Sequence, residues 1–437
     1  MRHPVAKYLT LVLLMASACQ KEQGSVSTIR EINFSEMAQG QGVYALIGAT
    51  LIDGTGHEPL DNSCVVIRNG LIETVGKNGD VEIPSEAKQI ILHGMTILPG
   101  LIDAHYHDED SDTLTSLYLM NGITSVRDPG EWIESYENLR KRKRLLPRLF
   151  LAGPHLDQYP PAYPADSYIV RDATEAALVV DRLAKQGATV VKVYYGLSVG
   201  MIREVCKASA RYGLPVTAHL EITNARDAIN AGLDGIEHVT SFGLCLLPMR
   251  EGEKYKQAVI ADKNARRRGR YEVWASLSMD KSPEVDSLIA FLSLKGTFVS
   301  PTLAVFERRS DRADSIEING FNNMLAFIGR ANDAGVRLVV GSHSYVPYAE
   351  QGFAFHREME LLHEAGLSNM EVLVAATLQN ARFFRIEDRL GSIEPAKVAD
   401  VIVVEGNPLK DLRAMRNVMG VMLNGLWVKE PVSGKDD

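Results

Sequence analysis

Leu98-Pro99-Gly100-Leu101-Ile102-Asp103-Ala104-His105-Tyr106-His107 is the stretch that decides the fold. An apolar run leads into two histidines spaced i, i+2. Successive side chains of a strand point to opposite faces, so residues two apart share one face. His105 and His107 can therefore converge on one metal ion from a single strand end.

Similar apolar runs follow, and they too carry candidate ligands. Ala188-Thr189-Val190-Val191-Lys192-Val193-Tyr194-Tyr195-Gly196 sets a lysine inside a β-branched strand. Leu214-Pro215-Val216-Thr217-Ala218-His219 and Asp234-Gly235-Ile236-Glu237-His238 each end in histidine, with a short helix and a glycine stop at Asn224–Gly232 between them. Candidate strands end near Ala104, Val126, Leu151, Tyr194, Ala218, Glu237, Thr302 and Gly341, and helical stretches alternate with them. That alternation predicts an α/β chain folded as a (β/α)8 TIM barrel. Active sites of such barrels lie at the C-terminal strand ends, where His105, His107, His219 and His238 all fall. Any one of them could be a structural imidazole in a polar cap; four together point to metal. Imidazole and oxygen ligands suit zinc, and catalytic zinc keeps an open position for water.

Pro99–His107, Gly122-Ile123-Thr124-Ser125-Val126-Arg127-Asp128, Lys192, His219, His238 and the closing run Gly391–Val404 together resemble the amidohydrolase superfamily, in the branch near imidazolonepropionases and prolidases. The resemblance runs from about Val43 to about Val428. It implies a barrel flanked by a small β-sandwich built from both chain ends. It also implies hydrolysis of a C–N bond in a small amide or dipeptide-like molecule. In the resembling family the lysine is carboxylated by carbon dioxide, and its carbamate bridges two metals. Here that would place one zinc on His105, His107 and Lys192, and a second on His219, His238 and Lys192, with a bridging hydroxide as nucleophile. The residues themselves put Val190, Lys192 and Tyr194 on one strand face by alternation. A protonated lysine cannot ligate metal, and burying one beside cations is costly. The ordinary alternative is a lysine paired with a nearby acid.

One position departs from the family pattern. Val336-Arg337-Leu338-Val339-Val340-Gly341-Ser342 leads to His343 where an aspartate, ligand and proton shuttle in one, is expected. An imidazole can carry a proton or ligate a metal. His343 is therefore read as the catalytic group, with three outcomes open: a working shuttle, a ligand with slowed chemistry, or a binding protein without turnover. Tyr194, Tyr195 and His155 are candidate substrate contacts, with core or loop packing as the alternative for each.

The rest of the chain bounds these readings. At 437 residues it accommodates a barrel of roughly 250–300 residues and a smaller domain. A net charge of −8 argues against a nucleic-acid partner. The exception is Lys263-Asn264-Ala265-Arg266-Arg267-Arg268-Gly269-Arg270, read as a solvated helix face or as a phosphate or carboxylate site. Arg2, Lys7 and the apolar run Leu9–Ala16 read as a signal peptide over residues 1–18. Ala16-Ser17-Ala18-Cys19 resembles a bacterial lipobox, which implies a lipid anchor at Cys19, the only expected membrane contact, and a place in the cell envelope. Residues 19–42 read as a tether, 43–97 and 390–430 as the two parts of the sandwich, and 98–389 as the barrel. Cys64, Cys206 and Cys245 imply no disulfide framework. The long connection from Val239 to Lys295 reads as a helical lid or a surface decoration. A homo-oligomer is left open.

Overall fold

The computed structural model describes residues 37–107, 112–136 and 146–432. The expected signal peptide, Cys19 and most of the tether lie outside the described residues. Strands run in chain order as β1 Val43–Ile47, β2 Thr50–Leu51, β3 Ser63–Arg68, β4 Leu71–Lys77, β5 Lys88–Ile91, β6 Met95–Pro99, β7 Leu101–Asp103, β8 Ile123–Asp128, β9 Arg148–Leu151, β10 His155–Asp157, β11 Ser167–Ile169, β12 Val191–Tyr195, β13 Val216–Leu220, β14 Gly235–Glu237, β15 Phe298–Ser300, β16 Arg337–Leu338, β17 Val401–Glu405, β18 Val418–Leu423 and β19 Leu426–Lys429.

Two sheets join the ends of the chain. One has the order β4-β3-β1-β5, the other β19-β18-β17-β6-β2. The β3–β4 hairpin turns at Asn69-Gly70, both at positive φ (47° and 80°). That pair of conformations matches the right-handed twist of the strands, and Asn-Gly adopts it readily. β6 pairs antiparallel with β17, from Pro99 opposite Val401 to Met95 opposite Glu405. Leu46, Val65, Ile67 and Ile72 pack with Ile97, Val401, Val403 and Met422 in one buried cluster, so the two sheets share a core.

The remaining strands are parallel, in sheets β7-β8-β9 and β11-β10-β12-β13-β14-β15-β16. Single backbone hydrogen bonds link their edges. Thr189 N donates to Leu151 O at 2.9 Å, and Ala104 N to Val340 O at 2.9 Å. The result is a TIM-barrel-like α/β fold, buried on both strand faces as parallel sheets require. Arg148 and Asp400 tie this layer to the sandwich through a buried bidentate pair at 3.0 and 2.9 Å.

Between β14 and β15 the long connection is helical, as expected, with helices Met249–Ala261, Ala265–Ala275 and Pro283–Lys295. Ala265–Ala275 lies close against helix Ser315–Asp333. A Cβ at Gly320 would stand 2.6 Å from Tyr271 O, so only glycine permits the approach.

Candidate active site

The strand ends bring the predicted histidines together over a cavity of about 410 Å3. Ring centroids lie 4.6 Å apart for His105 and His238, and 4.3 Å for His219 and His238. His343 stacks 5.2 Å from His105 and lies 4.9 Å from His107. Ring nitrogens of His105, His238 and His343 all fall within 4.8 Å of one another.

Each of the four strand-end rings is held by a neighbour through at least one nitrogen. His105 Nδ1 lies 2.8 Å from Glu237 Oε2, and its Nε2 is 3.1 Å from His107 Nε2. His107 Nδ1 faces Asp128 Oδ1 at 3.6 Å. His238 Nδ1 bonds Thr302 Oγ1 at 2.6 Å. His219 is reversed. Its Nε2 meets Glu221 Oε1 at 3.3 Å and Arg270 Nη2 at 3.2 Å, and its buried Nδ1 has no partner. Partners of this kind fix a ring's orientation and tautomer in metal sites.

Burial, reinforced by nearby cations, pushes the pKa of His105 and His238 well below the usual imidazole value. It lowers that of His343 to about 3. His219 falls to about 4, with burial the larger cause and Glu221 opposing it. These rings are neutral at physiological pH and present lone pairs, the form that binds metal. The donor set therefore fits a metal centre. Lys192 lines the same cavity and is 1% exposed. Burial brings its pKa down to about 8, with Glu237 pulling the other way. No acid lies within salt-bridge distance of it among the described residues, unlike the acid-paired alternative.

The rim of the site concentrates unusual backbone. Tyr195, His238, Thr302, His343 and Ser344 all have φ between 48° and 66°. Non-glycine residues pay for that conformation with strain and gather at functional sites. His343 is pinned there by its N–H to His105 O at 2.6 Å.

The predicted substrate contacts divide. Tyr194 and His155 line the cavity and stack at 4.1 Å. Tyr195 does not line it. Its hydroxyl reaches Val259 O at 3.4 Å, because the next strand residue faces the other way. Substrate contact at Tyr195 is accordingly corrected to packing beneath the helical connection. Sequence reasoning missed Asp128, Glu221, Glu237 and Arg270. Asp128 and Glu237 were visible as acids ending a strand or adjoining a candidate ligand histidine, and Arg270 as the end of the basic run.

The amidohydrolase family model matches residues 96–428. The chain belongs to the amidohydrolase family. It is thus a hydrolase acting on carbon–nitrogen bonds. Among solved structures it is similar to a Xaa-Pro dipeptidase with bound methionine, at 22% identity and a TM-score of 0.68 over 89% of this chain and 100% of that one. A protein from Bifidobacterium longum, provisionally termed a prolidase, is 25% identical with a TM-score of 0.69 over 91% and 97%. An ochratoxinase from A. niger is 19% identical with a TM-score of 0.66 over 90% and 97%. No curated protein sequence matches. The neighbours named as prolidases agree with the prolidase-like side of the resemblance read from the sequence.

Proposed function

We propose that this amidohydrolase cleaves the amide bond of a dipeptide-like molecule with the help of two zinc ions. The observation that carries the reading is the meeting of neutral, oriented imidazoles and an unpaired buried lysine in one cavity. His105 and His107 through Nε2, with Lys192, would hold one ion. His219 through Nδ1 and His238 through Nε2, with Lys192, would hold the other. Zinc in such a site supplies a Lewis acid for the carbonyl and a water of lowered pKa.

The chain's own residues do the rest. A lysine pKa of about 8 leaves roughly a tenth of Lys192 as free amine at pH 7, the form that attacks carbon dioxide to give a carbamate. Glu237 and Thr302 keep the His105 and His238 rings turned with Nε2 toward the cavity. His343, tethered by its backbone, is the group placed to take a proton and pass it to the leaving nitrogen, and the burial that lowers its pKa to about 3 makes it a weak base in that role. Tyr194 and His155 form an aromatic wall for the substrate. The prolidase neighbours favour dipeptides over other amides. A binding protein without turnover finds no support in the family or the site.

Amine release from a panel of Xaa-Pro dipeptides and N-acyl amino acids tests this reading, with metal content measured alongside. Turnover in the wild type and its loss, together with metal, in Lys192→Ala is the expected result. A panel that yields no amine from well-metallated protein would overturn it.

A further inference from the structure

Thr302 opens the short helical turn Leu303–Phe306 that follows β15. A threonine in that place ordinarily accepts a hydrogen bond from a backbone N–H of its own helix. Thr302 caps nothing with its side chain, and its backbone stands in the left-handed region at φ 48° and ψ 48°. Its Oγ1 donates instead to Pro301 O at 2.8 Å and lies 2.6 Å from His238 Nδ1. A hydroxyl has one proton to give. With that proton on Pro301 O, Oγ1 accepts from His238. Nδ1 then carries the ring's proton, and Nε2 keeps its lone pair.

The N–H groups that Thr302 leaves are taken by another side chain. Glu358, on the helix Ala354–Glu364, accepts from Leu303 N through Oε1 at 2.8 Å and from Ala304 N through Oε2 at 2.7 Å. It is buried, and no cation lies within salt-bridge distance of it among the described residues. Burial raises its pKa to about 8, with the two N–H groups pulling the other way. Burying a carboxyl is costly, and a cap from the Thr302 hydroxyl would avoid that cost. The costlier cap leaves the hydroxyl to His238. Arg357, the residue before Glu358, holds the far end of the same segment. It donates to Glu307 through Nε at 3.0 Å and through Nη2 at 2.8 Å. Val305 and Phe306, between the two holds, line the cavity.

We propose that Glu358 is a positioning residue for His238: by capping Leu303 and Ala304 it leaves the Thr302 hydroxyl to set the tautomer of that ring. This rests on the metal-holding reading above and deepens it. Without Glu358 the orphaned N–H groups draw the Thr302 hydroxyl back to its own helix. The His238 ring then loses its partner and is free to carry its proton on Nε2, the nitrogen turned to the cavity.

Ring-nitrogen NMR of the metal-free protein reads the tautomer of His238, whose signals are assigned by their loss in His238→Asn. Wild type should show the Nδ1–H form. A glutamine accepts from one N–H and leaves the other, so Glu358→Gln should show a mixture with the Nε2–H form. Zinc affinity by chelator competition should fall about 10- to 100-fold in Glu358→Gln and in Thr302→Val alike, the loss typical when a ligand histidine loses its outer partner. In the Thr302→Val background Glu358→Gln should add no more than about twofold, because both changes remove one linkage. A Glu358 that only supports the fold would lower affinity by the same factor in both backgrounds, and that result overturns the proposal. An Nε2–H tautomer in wild type overturns it too, in a measurement that needs no variant to fold. An unchanged His238 tautomer in Glu358→Gln has the same force. If wild type binds no zinc but Glu358→Gln still shifts the tautomer, the positioning stands and the metal reading falls.

Discussion

Glu237 is the side chain on which the orientation of the His105 ring depends, and Glu237→Gln exposes why. The carboxylate is 0% exposed and accepts from three donors. Oε2 faces His105 Nδ1 at 2.8 Å, while Oε1 accepts from Arg127 Nη2 at 2.7 Å and Thr217 Oγ1 at 2.9 Å. A glutamine has one acceptor oxygen and one NH2 group. With the oxygen kept on Arg127 and Thr217, the NH2 faces His105 Nδ1. The ring must then accept there and carry its proton on Nε2, the nitrogen meant for metal. Loss of such a partner costs about 10- to 100-fold in metal affinity. With the amide flipped, NH2 faces the Arg127 N–H instead. In either orientation the neutral amide takes the counter-charge from buried Arg127, and breaking a buried pair this way costs about 3–5 kcal/mol of stability. The stability penalty must appear, and the affinity penalty joins it unless the amide flips. Zinc affinity by chelator competition and urea denaturation of the metal-free protein read them separately. Both unchanged, within about twofold in affinity and about 0.5 kcal/mol in stability, would refute the reasoning.

His343→Asp should raise kcat and tighten metal binding, because an aspartate combines an anionic ligand with proton transfer. General acid–base assistance is worth about 10²–10⁴-fold, so partial recovery is measurable by steady-state kinetics; a slower aspartate variant would mark His343 as an adapted catalytic group. His356, buried with Nε2 3.0 Å from Met415 O, has its pKa lowered to about 4 by burial and then by Arg416. Below pH ~6.5 the unfolded chain takes up a proton that the folded chain refuses until pH ~4, so stability falls across that window as pH drops, by up to about 3 kcal/mol from this group. Denaturation midpoints of His356→Phe should show a shallower loss between pH 6.5 and 4 than wild type, and parallel curves would count against it.

Strand ends were legible because parallel strands buried on both faces leave continuous apolar runs. The structure ends them at Asp103, Asp128, Leu151, Tyr195, Leu220, Glu237, Ser300 and Leu338, close to the predicted positions. The pair β10–β11 was not legible, since three-residue strands carry no readable alternation, although β10 opens with His155. The histidines were found because each adjoins its own strand end. Their partners were not, because Glu221 and Arg270 meet across 49 residues that no local pattern links. The basic run was misleading as a block. Helical spacing turns Arg266 and Arg270 inward, the first onto Tyr163 and the second to Glu221, while Arg268 pairs outward with Asp314. Tyr195 was expected to contact substrate from the loop after its strand. It closes the strand instead, and the alternation that serves Tyr194 turns its neighbour aside.

The central claim is that these strand-end residues hold metal required to cut a C–N bond. The initial rate of amine release from alanyl-proline, followed as zinc is titrated back into chelator-stripped protein, tests it most directly. The account predicts a rate near zero without metal that rises and levels off only when both sites are filled. A rate that is substantial in the stripped protein and indifferent to added zinc would contradict it.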